Sequence, residues 1–214
     1  MIIEAIDNYL ATRLKDTRAS RCFHPSSLHR PAEDLFRLYF EGDDSEEFEP
    51  RVLRVFDNGH AVHERLQSYL GAAGVLLQAE VPIYNAEFEI VGHTDGIVEV
   101  GGSKGILEIK SINSQGFYGL FGPKLEHIIQ LNAYMFCTGI PRGVLLYECK
   151  NDQSLKEFFL KLDHSVLDPV LQKIRTVQAR ISAERKENVR RGNLYDLPRA
   201  CVDGTLSGCE SQLK

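Results

Sequence analysis

Apolar residues recur at helical spacing in the first third of the chain and at strand spacing through its middle, so the element order can be read from the period. Residues 2–16 predict an amphipathic helix, followed by a loop through Ser20–Ser27 and a second helix near Pro31–Phe40. From Arg51 to Leu70 the apolar positions Val52, Val55, Phe56, Val62, Leu66 and Leu70 share a helical stripe, and Gly71 and Gly74 end it. The period then changes. Val75–Tyr84, Glu87–Val100 and Gly105–Ile112 are rich in Val and Ile and bounded by Gly, Asn or Pro, and predict three strands, with Gly101-Gly102-Ser103 as the tight turn between the last two. Phe117–Thr138 predicts a helix, Arg142–Lys150 and Leu155–Leu162 strands, and His164–Arg191 a long charged helix. This order implies an α/β fold with a central mixed sheet flanked by helices. With no repeat, low-complexity tract or separating linker, residues 1–214 read as one domain whose core covers about 50–162.

Composition narrows the class. A chain of 214 residues can bury one α/β core, and 43% hydrophobic with 26% charged residues is ordinary for a soluble globular protein. No stretch approaches the roughly 20 apolar residues of a membrane-spanning helix, so no membrane partner is expected. The start, MIIEAIDNYLATRLKD, has early acidic residues and no small-residue cleavage site. It reads as a helix rather than a signal peptide, and a cytoplasmic location in a bacterial or virus-infected cell is expected. Five cysteines, an odd count, argue against a disulfide framework. A net charge of −5 disfavours nucleic-acid partners, which usually meet basic surfaces. Six of those acids fall within residues 41–50 as a local solvated run, and bound cations would offset more, so nucleic acid is not excluded.

The chemistry concentrates in Gly92-His-Thr-Asp95-Gly-Ile97 and Leu107-Glu108-Ile109-Lys110-Ser111. Glu108 and Lys110 are two apart on a strand and share a face. With the hairpin turning at Gly101-Gly102, Asp95 stands opposite Glu108; a longer turn would shift that register. Facing carboxylates about 5 Å apart repel unless a positive group lies between them, and a hard divalent cation with oxygen ligands serves. Lys110 could then orient or deprotonate an attacking water, or stabilise charge on a phosphate. The plain alternative is three polar residues on the wet face of a sheet. Against it, Ile106, Leu107 and Ile109 make the strand apolar on both faces, and charges inside such a strand need partners.

Together, Gly59-His-Ala-Val-His63, Gly92-x-x-Asp95-x-Ile97, Glu108-x-Lys110 and Gln130-x-x-x-Tyr134 resemble the RecB-like, CRISPR-associated-exonuclease-like branch of the PD-(D/E)XK nucleases, over about residues 50–150. The resemblance implies a restriction-endonuclease-like core and Mg²⁺ or Mn²⁺ held by His63, Asp95, Glu108 and the Ile109 carbonyl. It makes Lys110 the catalytic lysine, and Gln130 and Tyr134 residues that position nucleic acid and the active site. Taken alone, Gln130 and Tyr134 also read as ordinary helix-face residues, and His63 as a core histidine. Glu64 is an alternative ligand if the helix is rotated, His60 lies nearby, and Lys104 and Ser111 are candidate phosphate contacts.

The same branch includes exonucleases that clamp one amino-terminal and three carboxy-terminal cysteines around an iron–sulfur cluster. This chain departs from that pattern, with Cys22 near the start and only Cys201 and Cys209 in the tail. Cys22, His24, Cys201 and Cys209 could instead hold a structural zinc, or the tail could carry free thiols. Cys137 and Cys149 read as buried small residues. Cys22-Phe-His-Pro-Ser-Ser-Leu28 is similar to the entry segment of these nucleases. Lys15, Arg18, Arg21 and Arg30, or Lys173, Arg175, Arg180, Arg185, Lys186, Arg190 and Arg191, could line a DNA groove or be solvated faces.

The function expected is a DNA nuclease acting on single- or double-stranded ends. An exonuclease is favoured over a sequence-specific cutter because no base-reading module is present. By analogy it would serve repair, recombination or viral DNA processing. Alternatives are a catalytically silent nucleic-acid-binding protein on the same fold and an RNA-directed nuclease.

Overall fold

A computed structural model describes residues 1–12, 21–41 and 48–190. In chain order the elements are α1 (Ile2–Ala11), a 3₁₀ turn (Pro25–Ser27), α2 (Ala32–Glu41), α3 (Pro50–Ala72), β1 (Leu76–Asn85), β2 (Ile90–Val100) and β3 (Ser103–Ile112). There follow α4 (Ser114–Tyr118), α5 (Leu125–Thr138), β4 (Arg142–Cys149), β5 (Leu155–Lys161) and α6 (His164–Arg190). The five strands lie in sequence order in one sheet. β3 and β4 are parallel and the other neighbours antiparallel, so the sheet is mixed as expected. Parallel neighbours need a crossover, here α4 and α5.

β3 and β4 are central, and their apolar runs are buried on both faces: Ile106, Leu107, Ile109 and Leu145 are almost fully enclosed. Alternation sends Ile106 to the larger core, shared with α5, α6 and α2, and Leu107 and Ile109 to a smaller core under Val62 and Leu66 of α3. Helices therefore cover both faces, and the faces of β3 look toward α5 and α3. Among the described residues no helix is long and apolar enough to cross a membrane.

Three boundaries differ from the sequence reading. The helix expected over Phe117–Thr138 is two, α4 and α5, because Gly119, Gly122 and Pro123 interrupt it. Asn113 caps α4, its Oδ1 accepting the Gly116 N–H at 2.8 Å. The strand expected from Glu87 begins at Ile90, since residues 86–89 turn the chain, with the Phe88 N–H donated to Asn85 Oδ1 at 3.0 Å. The first helix, expected to run to 16, ends at Ala11, and residues 13–20 lie outside the described region.

α5 lies so close over β4 that a Cβ at Gly143 would stand 2.8–2.9 Å from three atoms of the Leu131 side chain. Gly143→Ala is expected to lower stability by about 1–3 kcal/mol through overpacking, read as a lower urea midpoint at unchanged slope. An unchanged midpoint would refute this account of the helix–sheet spacing.

Candidate active site

The β2–β3 ladder follows the register of a two-residue turn at Gly101-Gly102, from Val100↔Ser103 to Gly96↔Leu107. Both glycines have positive φ, 59° and 71°, as such a hairpin requires. Beyond Gly96↔Leu107 the strands part, although both continue. β2 stays with β1, where Thr94 pairs with Val81, and β3 stays with β4, where Ile109 pairs with Leu146. The position expected to set Asp95 against Glu108 is therefore one step past the last paired residues, at the mouth of the split.

Side chains take over where the ladder stops. Asp95 Oδ2 accepts the Ile109 N–H at 2.5 Å, occupying the place of a strand carbonyl. The N–H and C=O of one strand residue point the same way, so the Ile109 carbonyl also faces the split. Asp95 Oδ1 accepts from His63 Nδ1 at 3.0 Å, and one turn along α3 Gln67 donates to the Asp95 carbonyl at 2.8 Å. On β3, Lys110 Nζ lies 2.7 Å from Glu108 Oε1 and donates to Gln130 Oε1 at 2.9 Å. Gln130 in turn donates to the Tyr134 hydroxyl at 3.2 Å. One run of contacts thus joins α3, the split hairpin and α5, and brings together His63, Asp95, Glu108, Ile109, Lys110, Gln130 and Tyr134.

Burial sets the electrostatics. The Glu108 side chain is 4% exposed, and its pKa rises through desolvation first and the neighbouring Asp95 charge second, with Lys110 opposing. Burial disfavours a charged His63, but its hydrogen bond and charge attraction to Asp95 prevail and lift its pKa above the ordinary value. The Tyr134 hydroxyl is held protonated by burial and then by the Glu108 charge. Each carboxylate takes a protein partner of its own. Accordingly, among the described residues no three His, Cys, Asp or Glu side chains are gathered as a ready-made cation site. The donors facing the split nonetheless suit a hard divalent ion: two carboxylates, an imidazole and a strand carbonyl, with one carboxylate buried beside a like charge.

The helix orientation separates the α3 candidates, since His63 faces Asp95 while His60 and Glu64 are exposed. Lys104 pairs with Glu99 beside the hairpin turn, at the opposite end of β3 from Lys110. Ser111 Oγ is buried with no hydrogen-bond partner. Two site residues escaped the sequence reading. Gln67 donates to both the Asp95 carbonyl and Glu80 Oε1, the latter at 2.6 Å. Glu80 itself lies on β1 between Ala79 and Val81, beside Asp95, with φ of 47°. A lone Gln on a helix and a lone Glu on a strand carry no motif, so nothing in the sequence marked either one.

Several α6 cations fasten that helix to α2 and to neighbouring loops. Lys173 donates to the Leu28 and Arg30 carbonyls, Arg175 pairs with Glu87, Arg180 with Glu33, and Arg185 donates to the Tyr39 hydroxyl. Near the chain start, His24 Nδ1 donates to the Val91 carbonyl at 3.1 Å, which leaves Nε2 facing Cys22 Sγ at 3.7 Å. Burial lowers the His24 pKa. Cys22 and His24 are thus adjacent donors, and Cys201 and Cys209 lie outside the described residues. Cys149 is fully buried, and burial raises the Cys137 thiol to about 11, as suits inert core cysteines.

No protein-family model matches the chain, and no curated protein matches it. Solved structures do. An alkaline exonuclease from Laribacter hongkongensis is similar with a TM-score of 0.61 at 16% identity, covering 88% of this chain and 97% of that one. The same exonuclease in complex with dAMP gives 0.60 at 19%, covering 86% and 97%. A phage-related exonuclease from Haemophilus somnus gives 0.57 at 14%, covering 78% and 96%. These exonucleases belong to the PD-(D/E)XK superfamily, and the chain shares their restriction-endonuclease-like α/β fold.

Proposed function

We propose that a chain with this fold and this split hairpin is a nuclease that hydrolyses DNA phosphodiesters with Mg²⁺ or Mn²⁺, working as an exonuclease on single- or double-stranded ends. The observation that carries the reading is the parting of β2 from β3 at Asp95. It sets a carboxylate, a buried carboxylate, a strand carbonyl and a lysine side by side. The structural neighbours are described as exonucleases, one of them holding dAMP, which supports an exonuclease over an endonuclease. DNA repair, recombination or viral DNA processing is the setting proposed.

His63, Asp95, Glu108 and the Ile109 carbonyl would hold the cation. A bound divalent ion supplies Lewis-acid stabilisation of the phosphate and of the departing oxygen. The chain's own groups do the positioning. Lys110 Nζ has three protons; Glu108 and Gln130 each accept one, and the third is free to meet a phosphate oxygen or the attacking water. Because the Gln130 amide donates to Tyr134, its oxygen is turned toward Lys110 and fixes the ammonium. His63 and the Ile109 N–H hold Asp95 with one oxygen on each, and Gln67 anchors its backbone.

The test is cleavage of end-labelled linear single- and double-stranded DNA with Mg²⁺, Mn²⁺ or EDTA, beside a matched RNA strand. Metal-dependent release of nucleotides from DNA ends is expected. Folded protein that cuts no DNA with either metal would overturn the reading, and preferential RNA cleavage would move the substrate to RNA.

Cation binding is expected to depend on pH. Glu108 is raised to about 8 without metal, and the His63 pKa is also lifted, so a cation must displace protons from both. A raised folded-state pKa means that Glu108's contribution to stability is present at low pH and lost as pH rises through about 8. The metal-free protein should therefore weaken across that window, and the rise in Tm on adding Mn²⁺ should grow. A Tm shift that shrinks from neutral pH up to about 8 would contradict this.

A further inference from the structure

The connection between α4 and α5 holds the most exposed aromatic side chain among the described residues. Phe121 is 98% exposed, with Tyr118 at 59% and Leu125 at 64% beside it in sequence. An apolar ring in water is unremarkable on a loose loop, but the backbone here is tied down on both sides of it. Lys156 Nζ donates to the Phe117 carbonyl at 2.6 Å and to the Leu120 carbonyl at 3.1 Å, and stands over the Phe117 ring. The Tyr118 hydroxyl donates to Asp152 at 2.5 Å, and the Lys124 N–H reaches the Tyr147 hydroxyl at 3.3 Å. Phe117 and Leu120, just before Phe121 in sequence, are buried. The loop thus presents the Phe121 ring to solvent from a fixed backbone, which spares a ligand the cost of ordering that backbone.

Cationic and imidazole groups connect this loop to the proposed active site. Lys124 follows Phe121 by three residues and its side chain is 45% exposed, in a surface ion pair with Glu126 at 3.7 Å that is worth little. His127 lies on the first turn of α5, with Nδ1 at 2.8 Å from the Tyr147 hydroxyl and Nε2 at 3.4 Å from Glu126. Its pKa falls to about 3, through burial first and then the charges of Lys110, Lys124 and His29. Gln130, which holds Lys110, is five residues along α5 from Leu125. That stretch of α5 is roughly 8 Å long at 1.5 Å per residue, and Tyr147, whose hydroxyl meets the Lys124 N–H and His127, is the strand partner of Lys110.

We propose that Phe121 is a substrate-contacting residue: its ring stacks on a base close to the end of a DNA strand whose backbone runs past Lys124 to Lys110. Stacking requires no base-reading module, because every base has a face to stack while none is read by its edge. The inference rests on the nuclease reading above, and its test uses binding rather than cleavage.

The experiment is titration of full-length protein, in EDTA to prevent cutting, into short single-stranded oligonucleotides with 2-aminopurine at each position near either end. Wild type should bind and change the probe's fluorescence by stacking at one or two positions near one end. Phe121→Ala should abolish that change and weaken binding roughly tenfold, while Phe121→Trp restores both. Because the ring is already in water, the Tm of both variants should stay at the wild-type value. Wild type that cleaves DNA but shows no stacking signal, or Phe121→Ala that keeps it, would overturn the loop proposal and leave the nuclease reading standing. A Phe121→Ala effect on self-association alone would also overturn it, assigning the patch to a second copy of the chain. Wild type that neither binds nor cleaves DNA would remove both readings.

Discussion

Lys110→Ala is expected to lower the cleavage rate on the order of 10²–10⁴-fold while leaving the fold intact and DNA affinity within a few-fold. The ammonium hydrogen-bonds Glu108 Oε1 and Gln130 Oε1 and keeps a third proton, so its loss removes the group proposed to meet the phosphate. The vulnerable neighbour is Glu108, buried and deprived of its cation. Its pKa is already raised by burial and by Asp95, so it can take up a proton instead of standing as a bare buried anion. The Tm of Lys110→Ala should accordingly remain close to wild type below the Glu108 pKa. Three measurements separate the roles: single-turnover cleavage, Mn²⁺ binding and DNA binding. Asp95→Asn and Glu108→Gln should lose Mn²⁺ binding as well as cleavage. Lys110→Ala with full cleavage would show that the lysine stands in the cleft without acting there.

The largest stability effect is expected from Arg65→Ala, at about 3 kcal/mol or more. Arg65 on α3 places one guanidinium nitrogen 2.7 and 2.8 Å from the two oxygens of Glu148, whose side chain is only 2% exposed. Removing the arginine leaves a buried carboxylate without its partner, which is far costlier than losing a surface pair. The residue truncated is the more exposed member, 35% against 2%, so the penalty comes from what remains behind. A falling denaturant midpoint should therefore be largely rescued by Arg65→Leu combined with Glu148→Leu, which removes both charges. A double variant as unstable as the single would mean that Arg65 acts through packing on Tyr69, over whose ring it also lies. The same link seats α3 on the sheet, so Arg65→Ala should also loosen His63 against Asp95 and weaken Mn²⁺ binding.

Much of the arrangement was legible because it is local. The Gly101-Gly102 turn fixed the hairpin register, and the observed pairs from Val100↔Ser103 to Gly96↔Leu107 follow it. Strand alternation set Glu108 and Lys110 on one face, and the four-residue interval set Gln130 and Tyr134 on one helix face, as their hydrogen bond shows. The apolar run around Glu108 marked β3 as central. Interruptions were read less well. The break between α4 and α5 hinged on Gly119, Gly122 and Pro123, whose effect the surrounding apolar residues masked.

By itself, then, the sequence determined the mixed α/β sheet, most of the element order and which candidate residues share a face, since period, turn residues and motif spacing act over only a few positions. The tertiary structure decided how those residues engage. It parted β2 from β3 at Asp95, turned His63 rather than Glu64 toward the cleft, and brought Gln67 and Glu80 to its edge. It also paired Arg180 with α2 and Arg175 with the β1–β2 turn, and it left Phe121 in water. Each of these depends on how a helix is rotated on the sheet or which distant carboxylate a charge can reach. Such choices are settled by packing between segments far apart in sequence, where no local pattern records them.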